Sequence, residues 1–281
     1  PENILFVGNG SYQNRGCEAI VRGSMEILRR QFGPTLQCFA GTYAAESIVE
    51  TQNKFEVDPH IKTFSLDMEY KRWSRIWLES QMNRRLRTSF VGLHRPLVGR
   101  ISNTAIALEI GGDNYTLDYG RPEKFLAMDD FLQKRGTPVC LWGASVGPFA
   151  GDPSFARHMY KHLNTLAAVF VRESESFDYL ISNGVSTNVH LVADPAFALC
   201  AEQPSLDKIN FNIPDDAIGL NLSPLVGRYR GPNAPPFVLE EWLDFCNKLV
   251  SKLASLGRPV ILIPHVGAES PDNDDFSFLS K

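Results

Sequence analysis

The stretch Ile4-Leu5-Phe6-Val7-Gly8-Asn9-Gly10-Ser11-Tyr12-Gln13-Asn14-Arg15-Gly16 sets the architecture of this chain. Four consecutive apolar residues, too few for a helix and without polar alternation, predict a short strand covered on both faces. The run breaks at Gly8-Asn9-Gly10. A polar loop then leads into a helical pattern from Cys17 to Phe32, with Ala19, Ile20, Met25, Ile27 and Leu28 among its apolar positions. Strand, glycine-bearing loop and helix in that order begin a βαβ unit. The phrase returns four times. Ala105–Ile110 runs into Gly111-Gly112-Asp113-Asn114, and Pro138–Trp142 into Gly143-Ala144-Ser145-Val146-Gly147-Pro148. Ala168–Val171 runs into Arg172-Glu173-Ser174, and His190–Ala193 into Asp194-Pro195. Helical stretches at Pro122–Arg135, Pro153–Thr165 and Ser176–Asn183 lie between them. The alternation predicts an α/β fold with a Rossmann-like parallel sheet. In such sheets ligands bind beyond the carboxyl ends of the strands, so the residues after each strand are the ones to read.

A Pro-, Asn- and Asp-rich stretch, Gln203–Asp216, reads as a linker. A second series follows: strand Ala217–Leu222, a loop with Ser223-Pro224, a helix from about Pro236 to Leu256, and strand Pro259–Ile263 ending in Pro264-His265. The expected division is an N-terminal Rossmann-like domain at 1–205 and the start of a similar domain at 216–281, which the chain ends before completing. With 281 residues, 43% hydrophobic and 21% charged, the composition is that of an ordinary globular protein. The net charge of -4 argues against nucleic acid as partner, since a phosphate-backbone binder carries a basic excess. No run of about 18 apolar residues predicts a transmembrane helix, and no secretory pattern starts the chain. A cytoplasmic location is expected. The five cysteines, Cys17, Cys38, Cys140, Cys200 and Cys246, are scattered without zinc spacing, so reduced thiols and no metal site are expected.

Residues 60–104 break the rhythm and read as a basic, aromatic helical insertion. From Lys71 to Arg100 eight basic residues face one acid, Glu79, with Trp73, Trp77, Leu78, Met82, Leu86 and Phe90 interleaved at helical spacing. The expectation is a solvated helix whose apolar stripe packs on the domain. The alternative is a peripheral membrane contact through 71–100.

Each loop carries candidates for chemistry. Asn14-Arg15-Gly16 leads into a helix whose N-terminal amides could face an anion, though neither a GxGxxG nor a P-loop pattern is present. Glu18, in the first turn, either complements the helix dipole or faces a ligand. Gly111, Gly112 and Asp113 form a tight loop that is either a plain turn or a binding loop. The string Gly143-Ala144-Ser145-Val146-Gly147 has the letters of a nucleophile elbow, but Pro148 displaces the helix that should follow at once, which argues against a serine hydrolase. Arg172, with Ser174 and Ser176 nearby, offers its fork to a carboxylate or phosphate, or else pairs with Glu173, Glu175 or Asp194. His265 takes the matching place in the second series as a proton donor or phosphate contact. Arg172 and His265 would face each other across an interdomain cleft.

Six pieces in order resemble the polysaccharide pyruvyl transferase family: Asn14-Arg15-Gly16-Cys17-Glu18-Ala19, Gly111-Gly112, Gly143–Pro148, Val171-Arg172-Glu173-Ser174-Glu175-Ser176, Val192-Ala193-Asp194-Pro195-Ala196-Phe197 and Ile263-Pro264-His265. The resemblance implies a GT-B-like pair of Rossmann-like domains. It implies a transferase that moves a pyruvyl group from phosphoenolpyruvate, its donor and only cofactor-like requirement, to a sugar or lipid-linked oligosaccharide of a surface polysaccharide. It implies Arg172 as anion ligand, His265 as the catalytic acid, and Asn14, Gly16, Glu18, Gly111, Gly112, Asp113, Ser145, Gly147 and Ser176 around the substrate. Two departures stand out. Gly16-Cys17 replaces the Gly-Asp common in the family's first loop, and the chain ends before a later Arg-x-His segment associated with the donor. A GT-B glycosyltransferase using a nucleotide sugar and a non-catalytic binding protein of the same fold are the alternatives.

Overall fold

Strand β1 (Asn3–Asn9) lies inside a seven-stranded sheet in this computed structural model. On one side β2 (Cys38–Thr42) and β3 (Ile61–Ser65) extend the sheet. On the other follow β4 (Thr104–Glu109), β5 (Val139–Ala144), β6 (Ala168–Val171) and β7 (Val189–Leu191). Every pairing is parallel, in the order β3-β2-β1-β4-β5-β6-β7. The chain builds outward from β1 to β3, then crosses back to add β4 on the other flank. The strand order therefore reverses between β1 and β4, which makes their carboxyl ends the topological switch point.

The apolar run of β1 explains its central place. Leu5 and Val7 point into a core with Leu141, Val169, Leu132 and Met159, while Ile4 and Phe6 point the other way, against Ile20, Val21, Met25 and Leu28. The helices are α1 (Arg15–Phe32), α2 (Glu46–Phe55), α3 (Arg75–Leu86), α4 (Val98–Ile101), α5 (Glu123–Gln133), α6 (Pro153–Leu163) and α7 (Ser174–Ser182), and among the described residues all but α3 bury residues against the sheet. The start of α6 is fixed locally. Pro153 occupies its first turn and the Asp152 carboxylate accepts from the Phe155 N–H at 3.1 Å, satisfying a donor that the helix leaves open.

The structure describes residues 3–68, 71–86, 91–118, 120–201, 212–228, 237–267 and 274–281. They fall into two units: residues up to Tyr12 with Cys17–Leu199, and Gln13–Gly16 with the residues from Cys200 onward. In the second unit β8 (Ile218–Leu220) and β9 (Val260–Leu262) pair in parallel, beside α8 (Pro224–Arg228), α9 (Leu239–Ala254) and α10 (Asp275–Leu279). Most of the linker read at Gln203–Asp216, and Phe90 of the insertion, lie outside the described residues. No helix among the described residues is long and apolar enough to cross a membrane.

Two expectations are corrected. Residues 60–104 are not a helical insertion throughout, because Ile61–Ser65 forms edge strand β3, and α2 and β2 before it complete a further βαβ unit. The polar residues Thr63 and Ser65 disguise this strand. Their groups are satisfied locally: Ser65 Oγ donates to the Ala44 carbonyl at 2.6 Å and Gln52 Nε2 to Thr63 Oγ1 at 3.0 Å. The Asn53 carboxamide accepts from the Thr63 N–H and donates to the Thr63 carbonyl, at 3.0 and 2.8 Å. One side chain thus does for this edge what another strand would do. Secondly, the apolar stripe of α3 does not pack wholly inward: Leu78 and Met82 are 46% and 39% exposed, and Trp73 just before the helix is 68% exposed.

If Asn53 caps the β3 edge, Asn53→Ala should lower stability in urea titrations by about 1 kcal/mol for each of the two bonds. An unchanged unfolding midpoint would show that water replaces it at no cost.

Candidate functional site

At the switch point the two strand ends are tied by one side chain. Asn114 Nδ2 donates to the Gly8 carbonyl at 2.6 Å and to Glu109 Oε1 at 3.0 Å. Gly8 and Gly111 make room for this tie. A Cβ on Gly8, whose φ is +79°, would lie 1.7 Å from Glu109 Oε1, and one on Gly111 would lie 1.8 Å from Asn114 Nδ2. The loop after β4 is then joined to the loop after β5. The Ser145 N–H donates to the Gly112 carbonyl at 2.7 Å and the Gly147 N–H to the Tyr115 carbonyl at 2.9 Å. Asp113 turns the loop, its carbonyl accepting from the N–H and the hydroxyl of Thr116.

Beyond β5 and β6 lies a charged cluster. Arg172 donates through Nε to Ser145 Oγ and Glu173 Oε1 (3.2 and 3.1 Å), through Nη1 to Asp194 Oδ2 (2.8 Å) and through Nη2 to Ser145 Oγ (3.0 Å). Ser145 Oγ donates to Glu173 Oε1 at 2.6 Å, and Ser176 Oγ, buried, accepts from the Val146 N–H and donates to Glu173 Oε2. These bonds use three of the five guanidinium N–H groups. A Cβ on Gly112 would lie 2.9 Å from Arg172 Nη1, so the bare backbone there lets the guanidinium come close. Arg172 is thus the ion-paired residue that its sequence position allowed, its partners being Glu173 and Asp194. Next to it, Asp194 borders a cavity of about 360 Å³, mostly apolar, with Trp142, Gly143, Phe170, Val192 and Pro195 in its walls.

Under the switch point two carboxyl groups are fully buried, Glu109 and Asp129. Tyr115 donates its hydroxyl to Asp129 Oδ2, and His162 Nε2 lies 2.8 Å from the same oxygen. Glu109 Oε2 and Asp129 Oδ1 have no hydrogen-bond partner among the described residues. Burial pushes the Glu109 carboxyl well above the usual carboxylate range, and the negative charge of Asp129 adds to it. Burial also raises Asp129, against the opposing effect of His162 and Tyr115.

In the second unit the Arg15 N–H donates to the His265 carbonyl at 3.1 Å, and Asn14 forms an antiparallel bridge with Val266. Gly16 donates its N–H to Asn14 Oδ1 at 2.9 Å. The amides of Arg15 and Gly16 are therefore engaged within the protein, which corrects the expectation of an open anion-binding rim at the start of α1. Behind this loop the buried Asp275 carboxylate accepts from the His265 and Val266 N–H groups at 3.0 and 3.1 Å. The His265 backbone is clamped while the residue is exposed. Glu18 goes elsewhere: it pairs with Arg22 at 2.9 Å, which also bonds Glu56.

The structure thus joins Gly111, Gly112, Asp113, Ser145, Gly147, Arg172 and Ser176 in the first unit, and Asn14, Gly16 and His265 in the second. No nucleophile elbow forms at Ser145, since the next helix begins at Pro153. Among the described residues no group of three or more His, Cys, Asp or Glu could hold a metal ion. Sequence reading passed over Glu109, Asn114, Asp129, His162 and Asp275, whose polar contacts lie behind these loops. A signal existed for Glu109, the one charge in the apolar run Ala105–Ile110.

Residues 14–281 match the family model described as polysaccharide pyruvyl transferase. No curated protein matches the chain in sequence. Among solved structures, UDP-GlcNAc 2-epimerase from Methanocaldococcus jannaschii aligns over 99% of this chain and 67% of its own, with 10% identity and a TM-score of 0.52. A second UDP-N-acetylglucosamine 2-epimerase aligns over 93% of this chain and 63% of its own, at 13% identity and a TM-score of 0.47. Anabaena HepE, solved with UDP and glucose, aligns over 94% and 69%, at 11% identity and a TM-score of 0.49. The chain therefore spans about two thirds of the length of these proteins, which are GT-B in fold.

A carboxyl group raised by burial binds its proton in the folded state over a pH range where the unfolded chain has lost it. Stability then falls as pH rises above about 4.3, the unfolded value, toward the folded one. Glu109→Gln should flatten that fall while keeping an oxygen for Asn114. Glu109→Ala should cost about 2 kcal/mol or more, because it empties a buried position and strips an acceptor. Identical pH slopes for the wild type and Glu109→Gln in denaturant titrations would count against a buried, proton-holding Glu109.

Proposed function

The chain belongs to the polysaccharide pyruvyl transferase family, and on that footing we propose that it transfers a pyruvyl group from phosphoenolpyruvate to two hydroxyls of a sugar, as a cyclic ketal. The observation that carries this reading is the family match across residues 14–281. The acceptor is a sugar of a surface polysaccharide or of its lipid-linked precursor. The reaction takes place in the cytoplasm, where phosphoenolpyruvate is made, and needs no cofactor beyond that donor.

The chemistry sets the demands. A proton goes to the methylene carbon of phosphoenolpyruvate, and positive charge develops at the neighbouring carbon. One sugar hydroxyl adds there and loses its proton. The carbon–oxygen bond to phosphate then breaks, and the phosphate leaves with the electron pair. The second hydroxyl attacks the same carbon, loses its proton and closes the ketal. One proton has been consumed at the methylene and two released from the hydroxyls, and the surplus proton leaves on the phosphate. An acid, a ligand for the donor's two anionic groups and fixed dipoles near the developing charge are all needed.

Arg172 suits the anion role. Asp194 and Glu173 fix its plane, Ser145 and Ser176 fix Glu173, and the two remaining N–H groups can meet a carboxylate or a phosphate bidentately. Gly112, bare of a side chain, lets the guanidinium sit against the loop after β4. His265, exposed on a clamped backbone, is the candidate acid for the methylene. Gly111, Asp113 and Gly147 shape the loops around the donor. Asn14 acts through its bridge to the His265 loop, and Gly16 through its bond to the Asn14 side chain. Glu18 sits in its ion pair and takes no part. The apolar cavity beside Asp194 fits the lipid or apolar face of an acceptor.

Calorimetry with phosphoenolpyruvate should show saturable binding that Arg172→Ala abolishes and Arg172→Lys weakens, because Lys cannot reproduce the fork. Acceptor-dependent phosphate release should fall in kcat more than it changes KM for His265→Ala. Turnover of a nucleotide sugar without phosphoenolpyruvate would replace this reading with that of a glycosyltransferase. Binding without turnover under any acceptor would make the protein a binding module.

A further inference from the structure

The outward face of α3 is built the wrong way round for a solvated helix. Arg75, Leu78, Met82 and Arg85, spaced by three or four residues, lie on one side of the helix, and all four are exposed. Two apolar side chains therefore face outward between two arginines. Trp73 stands just before them, 68% exposed, with the Arg72 guanidinium over its ring at 5.5 Å and Trp77 beside it at 4.8 Å. Its φ is +70°, and among the described residues no other non-glycine has a positive φ. A bulky aromatic rarely adopts that conformation, and strain of this kind costs about 1–3 kcal/mol.

The surrounding sequence is basic as well. Residues 71–100 carry eight basic groups and one acid in a chain whose total is -4, so the rest of the protein sums to -11. The one acid, Glu79, is turned to internal use, since its oxygens accept from Arg75 Nε and from the Gly92 N–H, each at 2.8 Å.

We propose that this face docks the protein on an anionic lipid bilayer, with Trp73, Leu78 and Met82 entering the interface and Arg72, Arg75 and Arg85 meeting lipid phosphates. A polyanion alone would explain the arginines but leave three apolar side chains in water. A bilayer interface takes both, because tryptophan settles at headgroup depth and arginines gain attraction from an anionic leaflet. The contact does not depend on the identity of the donor or on Arg172. It would place the protein on the surface that carries a lipid-linked acceptor.

The test is co-sedimentation of the whole chain with phosphatidylcholine vesicles, with and without about a third phosphatidylglycerol. Binding should require phosphatidylglycerol, weaken with added salt, and shift tryptophan emission to the blue. Arg75→Glu with Arg85→Glu should weaken partitioning at least tenfold, and Leu78→Ser with Met82→Ser should weaken it at unchanged charge. Both pairs should leave the circular dichroism and phosphoenolpyruvate binding as they were. No sedimentation with anionic vesicles, or equal sedimentation of wild type and both pairs, overturns the proposal. So does binding to poly-glutamate as strong as to vesicles and indifferent to Leu78→Ser with Met82→Ser, which would point to an acidic protein partner instead.

Discussion

The carboxamide of Asn114 closes the junction from which the loops of the first unit are laid out. It reaches the Gly8 carbonyl on β1 and the Glu109 carboxyl on β4, so one group joins the ends of two strands where their order reverses. Glycine at 8 and at 111 is what lets the backbones and the amide share that space. From this point the order spreads by hydrogen bonds alone. The loop after β4 takes the Ser145 and Gly147 amides of the next loop, Ser145 takes Arg172, and Arg172 takes Asp194 after β7. Five strand ends are connected this way without a helix between them.

Beneath that junction the protein bears a cost. Two fully buried carboxyl groups, each with an oxygen unpartnered among the described residues, are an expensive choice in a low-dielectric core. Each is only half compensated, Glu109 by Asn114 and Asp129 by Tyr115 and His162. Purely apolar packing would be cheaper at these positions. What it could not do is give the loop after β4 a directional partner, since a hydrophobic contact has no preferred angle and a hydrogen bond has one. The charged cluster around Arg172 follows the opposite policy: it is partly open to solvent, so its charges cost less.

Much of this was legible from residue order. Short apolar runs followed by glycine or polar residues gave the strands of the larger sheet flank, their parallel arrangement and the loops that matter, because burial on both faces removes the polar alternation that would otherwise confuse the reading. The segment holding β2 and β3 was illegible for the converse reason. Thr63 and Ser65 are buried but polar, and only the tertiary positions of Asn53, Gln52 and Ala44 make that tolerable. Arg172, Ser145 and Ser176 stood out because they follow strands. Asp129 and His162 did not, because they sit on the inward faces of α5 and α6, among Met128, Leu132, Met159 and Leu163, where a helical pattern leads one to expect apolar residues. The engaged amides of Arg15 and Gly16 could not be read at all, since their partners come from residue 265 and from the geometry of a two-residue turn.

The second unit repeats the device of the first. There Asn221 Nδ2 donates to the Ile263 carbonyl, just past β9, at 2.6 Å and lies 3.4 Å from the carboxyl of the buried Asp275. Asn114 does the same with Gly8 and Glu109. In each case an amide side chain spans a backbone carbonyl at a strand end and a buried acid, and that acid stands behind the loop carrying the candidate chemistry. Asp275 goes one step further and takes the backbone N–H groups of His265 and Val266. A site residue must be positioned to within about half an ångström while keeping its reactive atoms unspent. Holding the loop through its backbone and leaving the imidazole exposed meets both requirements. Arg172 is held by another route, through fixed carboxylates that take some of its donors.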